Sequence, residues 1–82
     1  MNFKEATDFL FLGVDHERLA QELGVSVALI RQARLKPTAN AHRSPPQNWK
    51  EAVMKLATDQ MERYQLLVDH LGAPTHRGNS SG

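Results

Sequence analysis

The chain has 82 residues, ten basic and nine acidic side chains, a formal net charge of +1 and no cysteine. That length makes one small domain, and the missing cysteines exclude disulfides, thiolate metal sites and cysteine nucleophiles, as suits a reducing cytoplasm. No apolar run is longer than those of Phe9-Leu10-Phe11-Leu12 and Val27-Ala28-Leu29-Ile30, far below the roughly 20 residues of a membrane-spanning helix, and Glu5 and Asp8 interrupt any signal-peptide pattern, so a cytoplasmic protein without a membrane partner is expected.

Residues 2–12 read as a first helix, with Phe3, Ala6, Thr7 and Leu10 recurring at three-to-four spacing. Gly13 is expected to end it in the left-handed conformation. Asp15 can cap a second helix at 16–23, whose inward face is Leu19, Ala20 and Leu23. Gly24 stops that helix, and Ser26 can cap a third at about 27–35.

A polar loop with one proline follows from Lys36 to Arg43. Ser44-Pro45-Pro46 then forms a strong helix start, because proline is tolerated in a first turn whose amides have no intrahelical partner. A long helical pattern, 45–71, carries Trp49, Val53, Leu56, Tyr64, Leu67 and Leu71 on one stripe. Gln60 interrupts the stripe. Either one helix carries a polar layer there, or a break near Thr58 lets Asp59-Gln60-Met61-Glu62 open a second helix with a capping box. Gly72-Ala73-Pro74 is expected to end the segment, leaving 72–82 as a disordered tail. No stretch alternates with period two, so the fold class is all-α, with four or five helices and a domain spanning 1–71.

The charge distribution is more informative than its sum. Arg31, Arg34, Lys36, His42 and Arg43 lie between Ser26 and Arg43 without one acid among them in sequence. A basic centre between acidic flanks is a localised positive patch.

Within residues 16–35, Ala20 is a small residue where two helices would approach closely. Gly24 lies four residues on, and Ile30 six beyond it; Leu19, Leu23, Val25 and Ala33 supply the remaining inward places. This pattern resembles the helix-turn-helix of the Cro and phage lambda repressor family of DNA-binding proteins. The resemblance implies that helix 27–35 enters the major groove of double-stranded DNA. A helical wheel with Ile30 inward turns Ala28, Arg31, Gln32 and Leu35 outward. Arginine can bond guanine O6 and N7, glutamine can pair with adenine, and small apolar groups meet the thymine methyl. Ser26, Val27, Ala28, Arg31 and Gln32 are therefore the candidate base contacts. His16, Arg18, Arg34, Lys36 and Arg43 are the candidate phosphate contacts, which give affinity and register.

The implied function is a small bacterial or phage transcriptional regulator, most simply a repressor. The alternatives are a protein-interaction adaptor using the C-terminal helix and a phage DNA-packaging or nucleoid accessory protein. The stripe of Trp49, Val53, Leu56, Tyr64, Leu67 and Leu71 is longer than three short helices can cover, so it is the candidate homodimer interface. No enzyme activity, cofactor, metal or small-molecule ligand is expected. His16-Glu17 opens a His-Glu-x-x-His pattern, but Ala20 stands where the second ligand belongs.

Overall fold

In a computed structural model, which describes residues 1–76, four helices make up the fold: α1 Phe3–Leu10, α2 His16–Leu23, α3 Val27–Ala33 and α4 Trp49–His76. No strand occurs among the described residues. Residues 77–82 of the expected tail lie outside them.

Each short helix begins on a side-chain cap that satisfies an otherwise orphaned amide. Asn2 lies just outside α1 rather than in it. Its Oδ1 accepts from Glu5 N at 2.8 Å, and Glu5 Oε1 accepts from Asn2 N at 3.0 Å, completing a capping box. Asp15 accepts from Arg18 N at 2.8 Å to start α2, and Ser26 Oγ accepts from Leu29 N at 3.1 Å to start α3.

Gly24 ends α2 at φ 68° and ψ 33°. Val25 N donates to Ala20 O at 3.0 Å and Gly24 N to Gln21 O at 3.2 Å, the paired bonds of a Schellman motif. The expectation for Gly13 is corrected. Gly24 is the one glycine with positive φ among the described residues, and α1 already ends at Leu10. At Gly13 the constraint is space. A Cβ there would lie 3.2 Å from Gln60 Nε2 and 3.3 Å from the Tyr64 hydroxyl, so glycine lets α4 pass close to the α1–α2 connection.

α3 ends at Ala33, two residues early, and α4 begins at Trp49, well after Ser44. A residue preceding proline is pushed out of the helical region. Ser44 and Pro45 both precede one, which delays the helix until the turn closed by Trp49 N to Pro46 O at 3.1 Å. α4 runs unbroken through Gln60 for 28 residues, about 42 Å at 1.5 Å per residue. It also passes Gly72-Ala73-Pro74, so the expected end at Leu71 is corrected. Pro74 removes a single ladder bond close to the terminus, and extending a formed helix is far easier than nucleating one.

The core joins α1, α2, α3 and the first half of α4 through Phe3, Leu10, Leu19, Ile30, Ala52 and Leu56, all buried. Full burial of side chains such as Leu19 and Ile30 contributes roughly 1.5–3 kcal/mol each. Trp49 packs edge-on against Phe3, with centroids 5.3 Å apart at 85°. Thr7 is fully buried, and its hydroxyl donates to Phe3 O at 2.7 Å, so burial leaves it satisfied. Every residue of α4 from Met61 to Leu71 is exposed, and beyond Tyr64, whose hydroxyl still lies beside Gly13, the helix projects from this head. The molecule therefore measures 60 × 21 × 17 Å. No described helix is long and apolar enough to cross a membrane.

Candidate nucleic-acid interface

The surface is built on the α2–α3 pair. Ala20, 4% exposed, lies at the inside of this pair, Ile30 and Leu19 are fully buried, and Ala33 is buried beside them. Leu23 and Val25 pack at the edge of the same core. These contacts fix the rotation of α3 and turn Ala28, Arg31 and Leu35 into solvent. Ser26 is exposed at the helix start, and Val27 and Gln32 are half-buried. The five candidate base contacts thus occupy one end and the outer side of a single short helix.

A depression lined by Asp15, His16, Glu17, Val27 and Arg31 joins the start of α2 to this outer side. It brings candidate residues from both helices together. It also adds Glu17, which the sequence reading missed; the signal was its place one residue after His16 at the amino end of α2. His16 is held by stacking on Phe11, with ring centroids 3.8 Å apart and planes 22° from parallel.

The candidate phosphate contacts divide. Arg34 points inward: its guanidinium pairs with Asp8 of α1 and lies 5.1 Å from the Phe11 ring centroid, with Nε buried and without a hydrogen-bond partner. An arginine occupied in this way is a tie between α3 and α1. Arg18 faces the other side of α2, where Glu22 accepts from it at 3.2 Å. It borders a depression shared with Asp59 and Arg63 of α4, away from α3. Lys36 and Arg43 are exposed in the loop after α3. Arg43 N donates to Gln32 O at 3.3 Å, which draws the end of that loop back to α3.

The ion pairs sort the cations by location. Lys4 pairs with Asp8 at 2.8 Å, Lys55 with Glu22 at 3.1 Å, and Arg18 and Arg34 share those same two acids. Lys4 first, and Arg34 with it, holds the Asp8 carboxyl below its ordinary range against partial desolvation; Lys55 and Arg18 do the same for Glu22. Among the described residues, Arg31, Lys36 and Arg43 have no acidic partner in an ion pair, nor have Lys50 at the start of α4, which lies over the Trp49 ring, and Arg63 further along that helix. Local acids thus pair with the cations that join the helices, while Arg31 on α3 and Lys36 and Arg43 in the following loop make no ion pair, although Asp15 and Glu17 line the same depression as Arg31.

The candidate interface stripe also divides. Leu56 is 3% exposed, and Trp49 and Val53 pack against the same core, so these three hold the head together. This corrects the assignment of Leu56 to a dimer contact, because a side chain already buried by its own chain offers no area to another; Trp49 and Val53 are half-buried and serve the core first. Tyr64, Leu67 and Leu71 remain exposed. Among the described residues, no group of three His, Asp or Glu side chains is placed to hold a metal ion.

Comparison with protein-family models, with curated proteins and with solved structures returns no match to this chain.

Proposed function

We propose that this protein is a sequence-specific DNA-binding regulator, of the small bacterial or phage kind, that works as a homodimer with α3 in the major groove. The observation that carries this reading is that three of the five described Lys and Arg side chains without an ion-pair partner, Arg31, Lys36 and Arg43, lie on and beside an exposed short helix whose rotation is fixed by its buried face. A chain of net charge +1 that neutralises its other helix-joining cations concentrates its field there, and DNA phosphates are the polyanion such a patch serves. Arg31 and Gln32 read base edges, Val27 and Ala28 supply apolar contacts, and Ser26 lies at the helix start that approaches the bases. Lys36, Arg43 and His16 hold phosphates. Operator occupancy that blocks polymerase is the simplest action for a domain that presents only this surface.

A protein-interaction adaptor is the second reading, favoured by the exposed apolar side chains of α4 from Met61 to Leu71. Fluorescence anisotropy on a mixed-sequence duplex at rising salt separates the two. DNA binding gives a linear fall of log affinity with log salt, and Lys36→Ala or Arg43→Ala lowers the steepness by up to roughly one unit per lost phosphate contact. No binding at low salt, or the same slope in both variants and the parent, contradicts the assignment.

A further inference from the structure

The end of α1 and the middle of α4 form an apolar groove that no element of the head fills. Its walls are Phe9 and Leu12 on one side and Val53, Ala57, Met61 and Tyr64 on the other, around a volume of about 370 Å³. Phe9 is 66% and Leu12 83% exposed, although both belong to the apolar run that ends α1. The α4 wall recurs at i, i+4, i+8 and i+11, one face of a helix. The same face continues past the head as Leu67, Val68 and Leu71, all more than half exposed.

We propose that the groove is occupied by the projecting end of α4 from a second copy, so that two α4 helices pair antiparallel about a dyad at Tyr64. This inference rests on the homodimer reading and adds its geometry. Three observations choose the occupant. First, the groove spans Val53 to Tyr64, about 16 Å of helix, and the projecting segment from Tyr64 onward offers a matching face at least 10 Å long before Leu71. Antiparallel pairing about Tyr64 lays Leu67 of each copy on Met61 of the other, and Leu71 on the small Ala57. Both grooves fill at once, as a two-fold interface requires. Parallel pairing would instead set head against head and leave each groove without a helix.

Second, the area suffices. The seven side chains Phe9, Leu12, Met61, Tyr64, Leu67, Val68 and Leu71 are each more than half exposed. At on the order of 100 Å² each, they approach the roughly 800 Å² per partner of a standard interface.

Third, the spacing serves the proposed function. The buried α4 residues Ala52 and Leu56 centre each head about ten residues before Tyr64, which sets the two head centres about 30 Å apart along α4. Half-sites one DNA turn apart lie about 34–36 Å from centre to centre.

The chain contains no cysteine, so single-cysteine variants of the full protein report the register directly. Tyr64→Cys should cross-link to itself under mild oxidation. A mixture of Ala57→Cys and Leu71→Cys should form the heterologous cross-link in preference to either self-pair. Pairing raises the effective concentration of facing thiols from micromolar to millimolar, so these should form on the order of a thousandfold faster than an exposed Asn40→Cys control. Ala57 and Leu71 each linking to themselves, with no mixed product, shows a parallel pair. That result overturns this inference and leaves the homodimer standing, as does a sedimenting dimer in which none of these positions links. A monomer by sedimentation at micromolar concentration overturns both. DNA affinity, read separately from the salt titration, stands or falls independently.

Discussion

Two glycines in this chain have different physical reasons, and substitution separates them. Gly24 has φ 68° and open space where a Cβ would stand, so the cost of a side chain there is conformational. Gly24→Ala should lose about 1–2 kcal/mol, a fall in Tm of roughly 5–10 °C for a domain of this size, and Gly24→Val more, because a β-branched residue resists positive φ. Gly13→Ala meets Gln60 at Nε2 and Cγ and Tyr64 at its hydroxyl, at 3.2–3.4 Å, contacts that a small side-chain adjustment relieves, so its thermal loss should be the smaller. Equal losses at the two positions would contradict this division. Ala20→Leu should overpack the α2–α3 contact by about 1–3 kcal/mol.

Arg34 shows where sequence reading fails at this scale. In the linear chain it belongs to a basic window without acids; in space, Asp8 arrives from 26 residues away. Arg34→Ala should therefore lower Tm while leaving the salt slope of DNA binding unchanged. A smaller slope at unaltered Tm would return it to the phosphate contacts.

At the scale of elements, α4 does two things along its length. Its first half is core, and Leu56→Ala should cost about 2–5 kcal/mol. Its second half carries no core residue, so Leu67→Asp should leave the thermal transition of the head intact while removing self-association. The ties that lock the helices are acids shared by two cations: Asp8 joins α1 to α3, and Glu22 joins α2 to α4. Both carboxyls are held below their ordinary range, by Lys4 and Arg34 and by Lys55 and Arg18. Their contribution is complete above the ordinary carboxylate pKa of about 4 and is lost as pH falls through the lowered folded value. Relative to the parent, Asp8→Asn with Glu22→Gln should melt earlier at pH 7, and the two curves should converge as the pH falls below the ordinary carboxylate range. A constant difference across that window would show that charge is not what these residues supply.

The caps and the Ala20–Gly24–Ile30 spacing were legible because each depends on residues close in sequence. Asp15, Ser26 and Gly24 act within four residues of themselves. The apolar period of 16–35 likewise fixed which side of α3 faces out. The all-helical class followed from the same periodicity. Less legible was whatever depends on the path between elements. Two consecutive prolines move the start of α4, and Gln60, which in sequence fits either a break or a polar position, lies within the unbroken helix against Gly13. Whether an apolar stripe is core or interface depends on where the head ends. Trp49 and Tyr64 look alike along the stripe, yet the first packs on Phe3 and the second lies at the rim.

The whole molecule is a head with a projecting helix, and the proposed action needs both. The head presents Arg31 and Gln32. Removing either should cost on the order of 1–3 kcal/mol at one base position and relax the preference there. One short helix reads few bases, so specificity for an operator requires the second copy that α4 would supply. Selection of bound sequences from a random DNA pool tests this most directly. The account predicts an enriched palindrome with half-sites about 10–10.5 base pairs apart, lost or blurred at defined positions for Arg31→Ala and Gln32→Ala. A pool that stays random through selection, with the parent protein folded and at micromolar concentration, would contradict it.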